Sequence, residues 1–201
     1  MACFIVFEGG DDSGKSTQSR ALYRRLQRQG YPTLLTREPG GTPSGEVIRR
    51  LLKNHRDISF LSELLLFLAA RAELVESVIE PALRAGTIVI SDRYTASTVA
   101  YQGHGRGLDL ALIQELNLVA SKGLTPDLTV LLDLPVSVAL VRRGDRVADT
   151  FESAPAEFHH RVRDGYFAQA AADPQEWLVL DATRSRQQLG REIWEKVQPL
   201  L

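Results

Sequence analysis

The sequence predicts an α/β fold: a parallel five-stranded sheet covered by helices on both faces, with a polar lid segment late in the chain. Three observations carry that expectation. Short apolar runs alternate along the chain with longer stretches of helical period, the pattern of βαβ units. The runs are rich in β-branched residues and do not alternate with polar ones, as in Thr87-Ile88-Val89-Ile90-Ser91, which is how strands buried on both faces read. The run Gly9-Gly10-Asp11-Asp12-Ser13-Gly14-Lys15-Ser16 matches GxxxxGK(S/T) and joins the first apolar run to the first helical one.

In order, Cys3-Phe4-Ile5-Val6-Phe7 is the first strand and a helix begins near Lys15. Over 19–29, Ala21, Leu22 and Leu26 share one side while Arg20, Arg24, Arg25 and Arg28 surround the other, an amphipathic helix stopped by Gly30. A second strand, 33–36, delivers the sharp loop Arg37-Glu38-Pro39-Gly40-Gly41-Thr42, and a helix follows over 43–53. The leucine- and alanine-rich stretch 61–83 reads as one long, mostly buried helix with Pro81 the place for a bend. The third strand, 87–91, ends on Asp92-Arg93-Tyr94, and chemistry is expected at that edge of a parallel sheet. A helical stretch through Tyr101, a glycine-rich turn (Gly103, Gly105, Gly107) and a helix over 109–122 lead to a fourth strand at 128–132. A helix over 135–143 runs into Gly144-Asp145-Arg146-Val147-Ala148-Asp149-Thr150, which has no apolar period and is the candidate lid, about 142–154. A helix over 156–171, a fifth strand over 177–180 and a helix over 186–197 follow. With no internal repeat and no low-complexity linker, residues 1–201 read as a single domain.

At 201 residues, 44% hydrophobic and 24% charged, the chain has material for one core of ordinary size. Its net charge of -1 lacks the basic surplus of a nucleic-acid-binding surface, so no polymer partner is expected. The single cysteine, Cys3, excludes a disulfide scaffold and a cysteine-built zinc site, and its place inside a strand marks a buried thiol. No stretch reaches the length of a membrane span, and the short N-terminal apolar run leads into the loop without a signal-peptide pattern. The expected location is cytoplasmic.

The chemistry begins in the loop. Gly9, Gly10 and Gly14 let successive backbone N–H groups converge on one point, and the helix starting near Lys15 adds the positive end of its dipole, so an anion is favoured there. Lys15 supplies a point charge for outer phosphates and Ser16 a hydroxyl for Mg²⁺, with Asp11, Asp12, Ser13 and Thr17 completing the candidate phosphate site. The fold class is therefore of the P-loop NTPase type. Asp92 is placed to orient Mg²⁺ or its water, and Arg93 to hold phosphate oxygens bidentately; a structural ion pair at the strand end is the alternative. Phe67 and Arg71, four apart on a predicted helix, rise from one face and would hold two ends of one nucleotide, although Phe67 within Leu64-Leu65-Leu66-Phe67-Leu68 also reads as core. Ser97 and Tyr101 likewise share a face. Arg142, Arg143 and Arg146 are candidates for neutralising charge in a phosphoryl transfer, or are merely solvated. His55, His104, His159 and His160 form no ligand pattern.

Taken together, Phe7-Glu8-Gly9 through Gln18, Thr36-Arg37-Glu38-Pro39-Gly40-Gly41-Thr42, Leu66-Phe67-Leu68-Ala69-Ala70-Arg71-Ala72, Ser91-Asp92-Arg93-Tyr94 and Ala100-Tyr101-Gln102-Gly103 resemble the thymidylate kinase family over nearly the full length. The resemblance implies transfer of the γ-phosphoryl group of ATP to dTMP, giving dTDP for dTTP synthesis, with Mg²⁺ as cofactor and a homodimeric, cytoplasmic enzyme. It implies ATP on Gly9 through Thr17 and Arg142, and Lys15, Asp11, Arg93, Arg143 and Arg146 in catalysis, with the Asp11 carboxylate facing the acceptor sugar or the transferring phosphate. Phe67 would stack on thymine, Arg71 with Arg93 would grip the dTMP phosphate, and Thr98 or Ser97 would contact the base. The ring of Tyr101 would fill the space a ribose 2′-OH needs. Arg37 is carried over as an acceptor-site residue. Glu38 shares that site or orders its loop, and Gln102 reaches the substrate or is a surface turn residue.

Two positions depart from the family pattern. Asp12 stands where glycine or a basic residue is usual, so its carboxylate is expected to point outward from the phosphates, and its backbone to adopt the left-handed geometry that Asp tolerates. Thr150 stands where many bacterial relatives carry an arginine that touches ATP, and Arg146 or Arg143 is expected to replace it. The competing readings are a kinase for another nucleoside or nucleoside monophosphate, a catalytically impaired nucleotide-binding relative, and a GTP switch, which should carry an Asn-Lys-x-Asp run that is absent here.

Overall fold

The computed structural model describes residues 2–54, 57–145 and 150–201. Five parallel strands, β1 (Cys3–Glu8), β2 (Thr33–Arg37), β3 (Ile88–Asp92), β4 (Leu128–Asp133) and β5 (Trp177–Asp181), form a sheet in the order β2-β3-β1-β4-β5. Between and after them run α1 (Lys15–Arg28), α2 (Pro43–Asn54), α3 (Phe60–Leu74), α4 (Glu80–Arg84), α5 (Thr95–Thr98), α6 (Leu110–Ser121), α7 (Val136–Arg143), α8 (Ala156–Ala172) and α9 (Arg186–Val197). β1 pairs with β3 from Cys3 opposite Ile88 to Phe7 opposite Asp92, and with β4 from Ile5 opposite Leu128 to Glu8 opposite Leu131. Arg37 ends β2 opposite the same Asp92. This register brings Glu8, Arg37 and Asp92 to one edge of the sheet. The chain there switches from building on the β3 side of β1 to building on the β4 side, and the diverging loops open a crevice.

Side chains alternate along a strand, so β1 feeds two cores at once. Cys3, Ile5 and Phe7 join Leu22 and Leu26 of α1 and Leu189, Ile193 and Val197 of α9 on one face. Phe4 and Val6 pack on the other with Leu74, Val75, Ile79 and Tyr94. A third cluster, Phe158, Val162, Tyr166 and Ala170 of α8 against Ala100, Tyr101 and Leu131, closes the region under the crevice. Cys3 is buried as expected, and burial, reinforced by Asp127, pushes its thiol up to about 12.

Two local expectations change. The predicted helix over 61–83 is α3 running through a π-helical turn, Val75–Ile79, into α4, with the Glu80 N–H donating five residues back to the Val75 carbonyl. The irregularity thus precedes Pro81, whose missing N–H the wider turn accommodates. The glycine-rich turn is instead a π-helix, Val99–Gly105. A Cβ on Gly103 would lie 2.5 Å from Leu110 and one on Gly105 2.6 Å from Phe158, so these glycines are small to let helices meet. Gly107, at φ 80°, makes the turn.

Candidate active site

The loop after β1 lets backbone crowd a ligand. Gly9 (φ 135°) and Gly14 (φ 95°) occupy conformations closed to most side chains, and a Cβ on Gly9 would strike the Leu132 carbonyl oxygen. Asp12 adopts the left-handed geometry at φ 59°, is half-buried, and its carbonyl oxygen accepts from Arg142 at 3.4 Å. Lys15 folds back over the loop, donating to the Gly10 carbonyl at 2.6 Å and to Ser13 Oγ at 3.4 Å. Burial, then the charge of Arg93, lowers the Lys15 ammonium to about 8 against the pull of Asp11 and Asp92. Ser16 donates its hydroxyl directly to Asp92 Oδ2. Among the described residues no group of three or more His, Cys, Asp or Glu side chains is placed to hold a metal ion. The Ser16 and Asp92 oxygens would therefore need phosphate oxygens and water to complete a coordination shell, which suits Mg²⁺.

Arg93 carries the strain of the site. Its φ of 78° is left-handed, a conformation costing a non-glycine residue about 1–3 kcal/mol. A full set of acceptors holds it there: Nη1 donates to the Gly9 carbonyl (3.1 Å), Ser97 Oγ (3.0 Å) and Tyr166 Oη (3.1 Å), and Nη2 to Asp11 Oδ1 (2.7 Å) and Tyr101 Oη (3.1 Å). Tyr101 donates in turn to Asp11 Oδ2 at 2.9 Å. Burial alone would raise the Asp11 carboxyl, but Arg93 and Lys15 outweigh it and hold the group below its ordinary value.

Beneath this cluster lies Glu8, fully buried, which sequence reasoning left without a role. Its carboxylate accepts from the N–H groups of Tyr94 (2.8 Å) and Ser97 (3.2 Å), from Ser97 Oγ (2.6 Å) and from Tyr166 Oη (2.9 Å). Burial raises its pKa although Arg93 and these donors oppose the rise. One signal was available: a carboxylate ending a doubly buried strand must find partners. Its partner Tyr166, 158 residues away, carried none.

The opposite wall is lined by α3, α5 and the π-helix. Phe67 is half-buried on the cleft while Leu64 and Leu68 take the core positions, so the core reading of Phe67 does not hold. Its ring centroid lies 5.7 Å from Phe151, which also stands 6.3 Å from Tyr101. Arg71 is 1% exposed and held by four partners: Nε (2.9 Å) and Nη2 (2.6 Å) donate to Glu38 Oε2, Nη2 also to the Tyr94 carbonyl (3.1 Å) and Thr98 Oγ1 (2.9 Å), and Nη1 to Asn117. Glu38 is thus a buried counter-ion. The loop is ordered from two sides, since Glu38 ties it to α3 while Glu46 accepts from the Gly41 N–H at 3.1 Å and from Arg37 Nη2 at 2.8 Å. Gln102 is 1% exposed and donates to Glu63 at 2.8 Å, which corrects the surface-turn reading. Arg49, also missed, donates to the Pro39 carbonyl at 3.0 Å; burial, then Arg37, lowers its pKa.

Both walls border one cleft of about 890 Å³. At its far end Arg142 Nη2 donates to the Ala182 carbonyl at 2.8 Å and Gln18 to the Arg186 carbonyl at 3.0 Å, joining the loop after β5 to the site. Arg143 donates to the Glu152 carbonyl and borders a smaller cavity behind the phosphate loop. Thr150 donates to the Lys53 carbonyl at 3.0 Å. Arg146 lies outside the described residues.

The family model described as thymidylate kinase matches residues 7–193. A thymidylate kinase of Dehalococcoides mccartyi (strain ATCC BAA-2266 / KCTC 15142 / 195) is 53% identical over 203 residues, spanning 100% of this chain and 98% of the relative. One of Thermomicrobium roseum is 48% identical, spanning 100% and 97%. The crystal structure of thymidylate kinase from Ehrlichia chaffeensis superposes with a TM-score of 0.82 at 36% identity, covering 98% of this chain and 99% of that one. A phosphate loop facing an aromatic and arginine-lined wall, on a fold shared from end to end with these relatives, places the chain in the thymidylate kinase family.

Proposed function

We infer that the chain transfers the γ-phosphoryl group of ATP to dTMP, giving dTDP and ADP. The observation that carries this is the single cleft in which the phosphate loop faces Phe67, Arg71 and Tyr101 across the Asp11–Arg93 pair. Phosphoryl transfer asks a protein for alignment and for charge neutralisation on the equatorial oxygens, with little covalent help. Lys15 and the loop N–H groups serve the donor phosphates, Arg93 lies between donor and acceptor, and Asp11 faces the acceptor sugar or the transferring group. Arg143 and Arg146 remain the lid candidates for catalysis, within a segment of about 142–154 in a single domain. Ser16 and Asp92 would hold Mg²⁺, which when bound neutralises charge on the phosphate oxygens. Arg142 and the loop after β5 serve the ATP end.

On the acceptor side Phe67 offers the stacking face and the Tyr101 ring occupies the place of a ribose 2′-OH. Instead of sharing the dTMP phosphate with Arg93, Arg71, 1% exposed and paired with Glu38, suits a neutral carbonyl better, and the phosphate falls to the more open Arg93 with Arg37 and Arg49. The Ser97 hydroxyl is engaged by Glu8, leaving Thr98 and Gln102 for the base. Val47 and Leu51 of α2 and Leu61 and Leu65 of α3 are exposed apolar pairs, and a homodimer would cover this face. A cytoplasmic location belongs to the same reading; no helix among the described residues is long and apolar enough to cross a membrane. A coupled ADP-release assay with ATP, Mg²⁺ and a panel of nucleoside monophosphates tests the proposal. dTMP should be the best acceptor; a better one, or ATP binding without turnover, refutes it.

A further inference from the structure

Beside the acceptor wall lies a charged cluster that the phosphoryl transfer does not use. Glu63 of α3, 4% exposed, accepts from Arg106 through both oxygens, Nε to Oε1 at 3.2 Å and Nη2 to Oε2 at 3.0 Å, and from Gln102 Nε2 at 2.8 Å. The Arg106 guanidinium is packed against three phenyl rings, Phe60 at 4.8 Å, Phe151 at 5.6 Å and Phe158 at 4.8 Å from their centroids. A fork-to-fork pair wedged among aromatic rings has one orientation. Holding a buried carboxylate against a half-buried guanidinium costs desolvation, and an apolar pair would fill the same space without that cost, so the pair calls for a role besides packing.

That role is visible in Gln102. An amide presents either its oxygen or its nitrogen to a neighbour unless the neighbour discriminates. A carboxylate bound to a guanidinium offers only lone pairs, so Gln102 must turn Nε2 to Glu63 and leave Oε1 for the cleft it lines with Phe67 and Arg71. We propose that Glu63 and Arg106 are positioning residues for base selection: they present Gln102 Oε1 as a fixed acceptor, which favours a pyrimidine whose edge offers a ring N–H beside a carbonyl, thymine or uracil, and disfavours cytosine. The ring nitrogen of cytosine at that place is itself an acceptor, and two facing acceptors leave both without a proton to share. Arg71, a donor on the same wall, completes a pattern of donor next to acceptor. The inference rests on the reading of dTMP as phosphoryl acceptor.

Steady-state kinetics of the full chain with ATP, Mg²⁺ and dTMP, dUMP or dCMP test it. Glu63→Gln keeps the shape but can offer either end to Gln102; it is expected to lower kcat/KM for dTMP and dUMP by about tenfold and to raise that for dCMP, so the dTMP-to-dCMP ratio falls by more than about tenfold while dTMP-to-dUMP stays level. The double variant Glu63→Leu/Arg106→Met, which replaces the pair by apolar side chains of similar size and frees the Gln102 amide to turn, should move the ratio the same way. Loss of packing alone would lower all three acceptors together, so the ratio separates positioning from structure. An unchanged ratio in folded Glu63→Gln overturns the proposal, and the double variant decides by itself if Glu63→Gln does not fold. Failure of the unmodified chain to phosphorylate dTMP would instead sink the proposed function.

Discussion

Asp11 and Arg93 are joined by a 2.7 Å ion pair that ties the phosphate loop to the end of β3, and Tyr101 bridges them by hydrogen bonds of 2.9 Å and 3.1 Å. The pair is partly open to the cleft and sits where donor and acceptor must meet, so it is an assembly of the site rather than of the core. Replacing Asp11 by Asn removes the charge that orients Arg93 and is expected to lower kcat/KM for dTMP by about a hundredfold, while Tyr101→Phe, which loses both hydrogen bonds of the hydroxyl at about 1 kcal/mol each, lowers it by no more than about thirtyfold. Initial-rate kinetics at saturating ATP measure both; equal effects would mean that the tyrosine, not the ion pair, orients the guanidinium.

The lowered pKa of Lys15 has two consequences of opposite sign. Its folded value of about 8 lies below the ordinary 10.5, so the folded chain releases this proton first as pH rises. Its contribution to stability therefore grows between about 8 and 10.5, where the unfolded chain binds more protons. Phosphate binding needs the ammonium, so kcat/KM for ATP should fall as pH passes about 8. The corresponding limb in kcat should lie higher, because bound phosphates stabilise the charge. A pH profile of kcat/KM with no limb below pH 10 would contradict the burial of this group.

Asp12 occupies a left-handed backbone position that glycine takes without penalty. Asp12→Gly is expected to leave Tm unchanged or slightly raised and to lower the KM for ATP by about two- to tenfold, since a second carboxylate beside the phosphates is removed. Thermal melts and ATP titration of the rate give the two numbers, and an unchanged KM would show that the side chain is fully screened.

Arg142 touches the phosphate loop and the segment after β5, whereas Arg143 reaches the Glu152 carbonyl. Arg142→Ala should raise the KM for ATP by about tenfold with little change in kcat, and Arg143→Ala should lower kcat by more than about threefold, equivalent to roughly 0.7 kcal/mol. Saturation curves in ATP separate the two effects. Loss of KM and kcat in equal measure from both variants would merge the two roles.

Legibility followed range along the chain. Phe67 illustrates the middle case: its spacing from Arg71 placed both on one helical face, but core and cleft are equally compatible with an aromatic residue among leucines until Leu64 and Leu68 are seen to take the buried positions. Gln102 and Glu38 illustrate the far case. Both sit in stretches that read as polar loops, and both are buried because a residue far away, Glu63 for one and Arg71 for the other, completes their hydrogen bonds.

The sequence by itself determined the phosphate loop, the alternation of strands and helices, and the family, because each is written in local spacing: glycines at set intervals, apolar periods, short contiguous runs. Only the tertiary structure decided which charges meet. Glu8 reaches Tyr166, Arg71 reaches Glu38, and Gly103 and Gly105 prove to be packing residues, since such contacts depend on the strand order β2-β3-β1-β4-β5 and its register. That order is selected by burial summed over the whole sheet, a quantity no short window of the chain contains. The loop supplies the phosphate site, and the fold supplies what faces it.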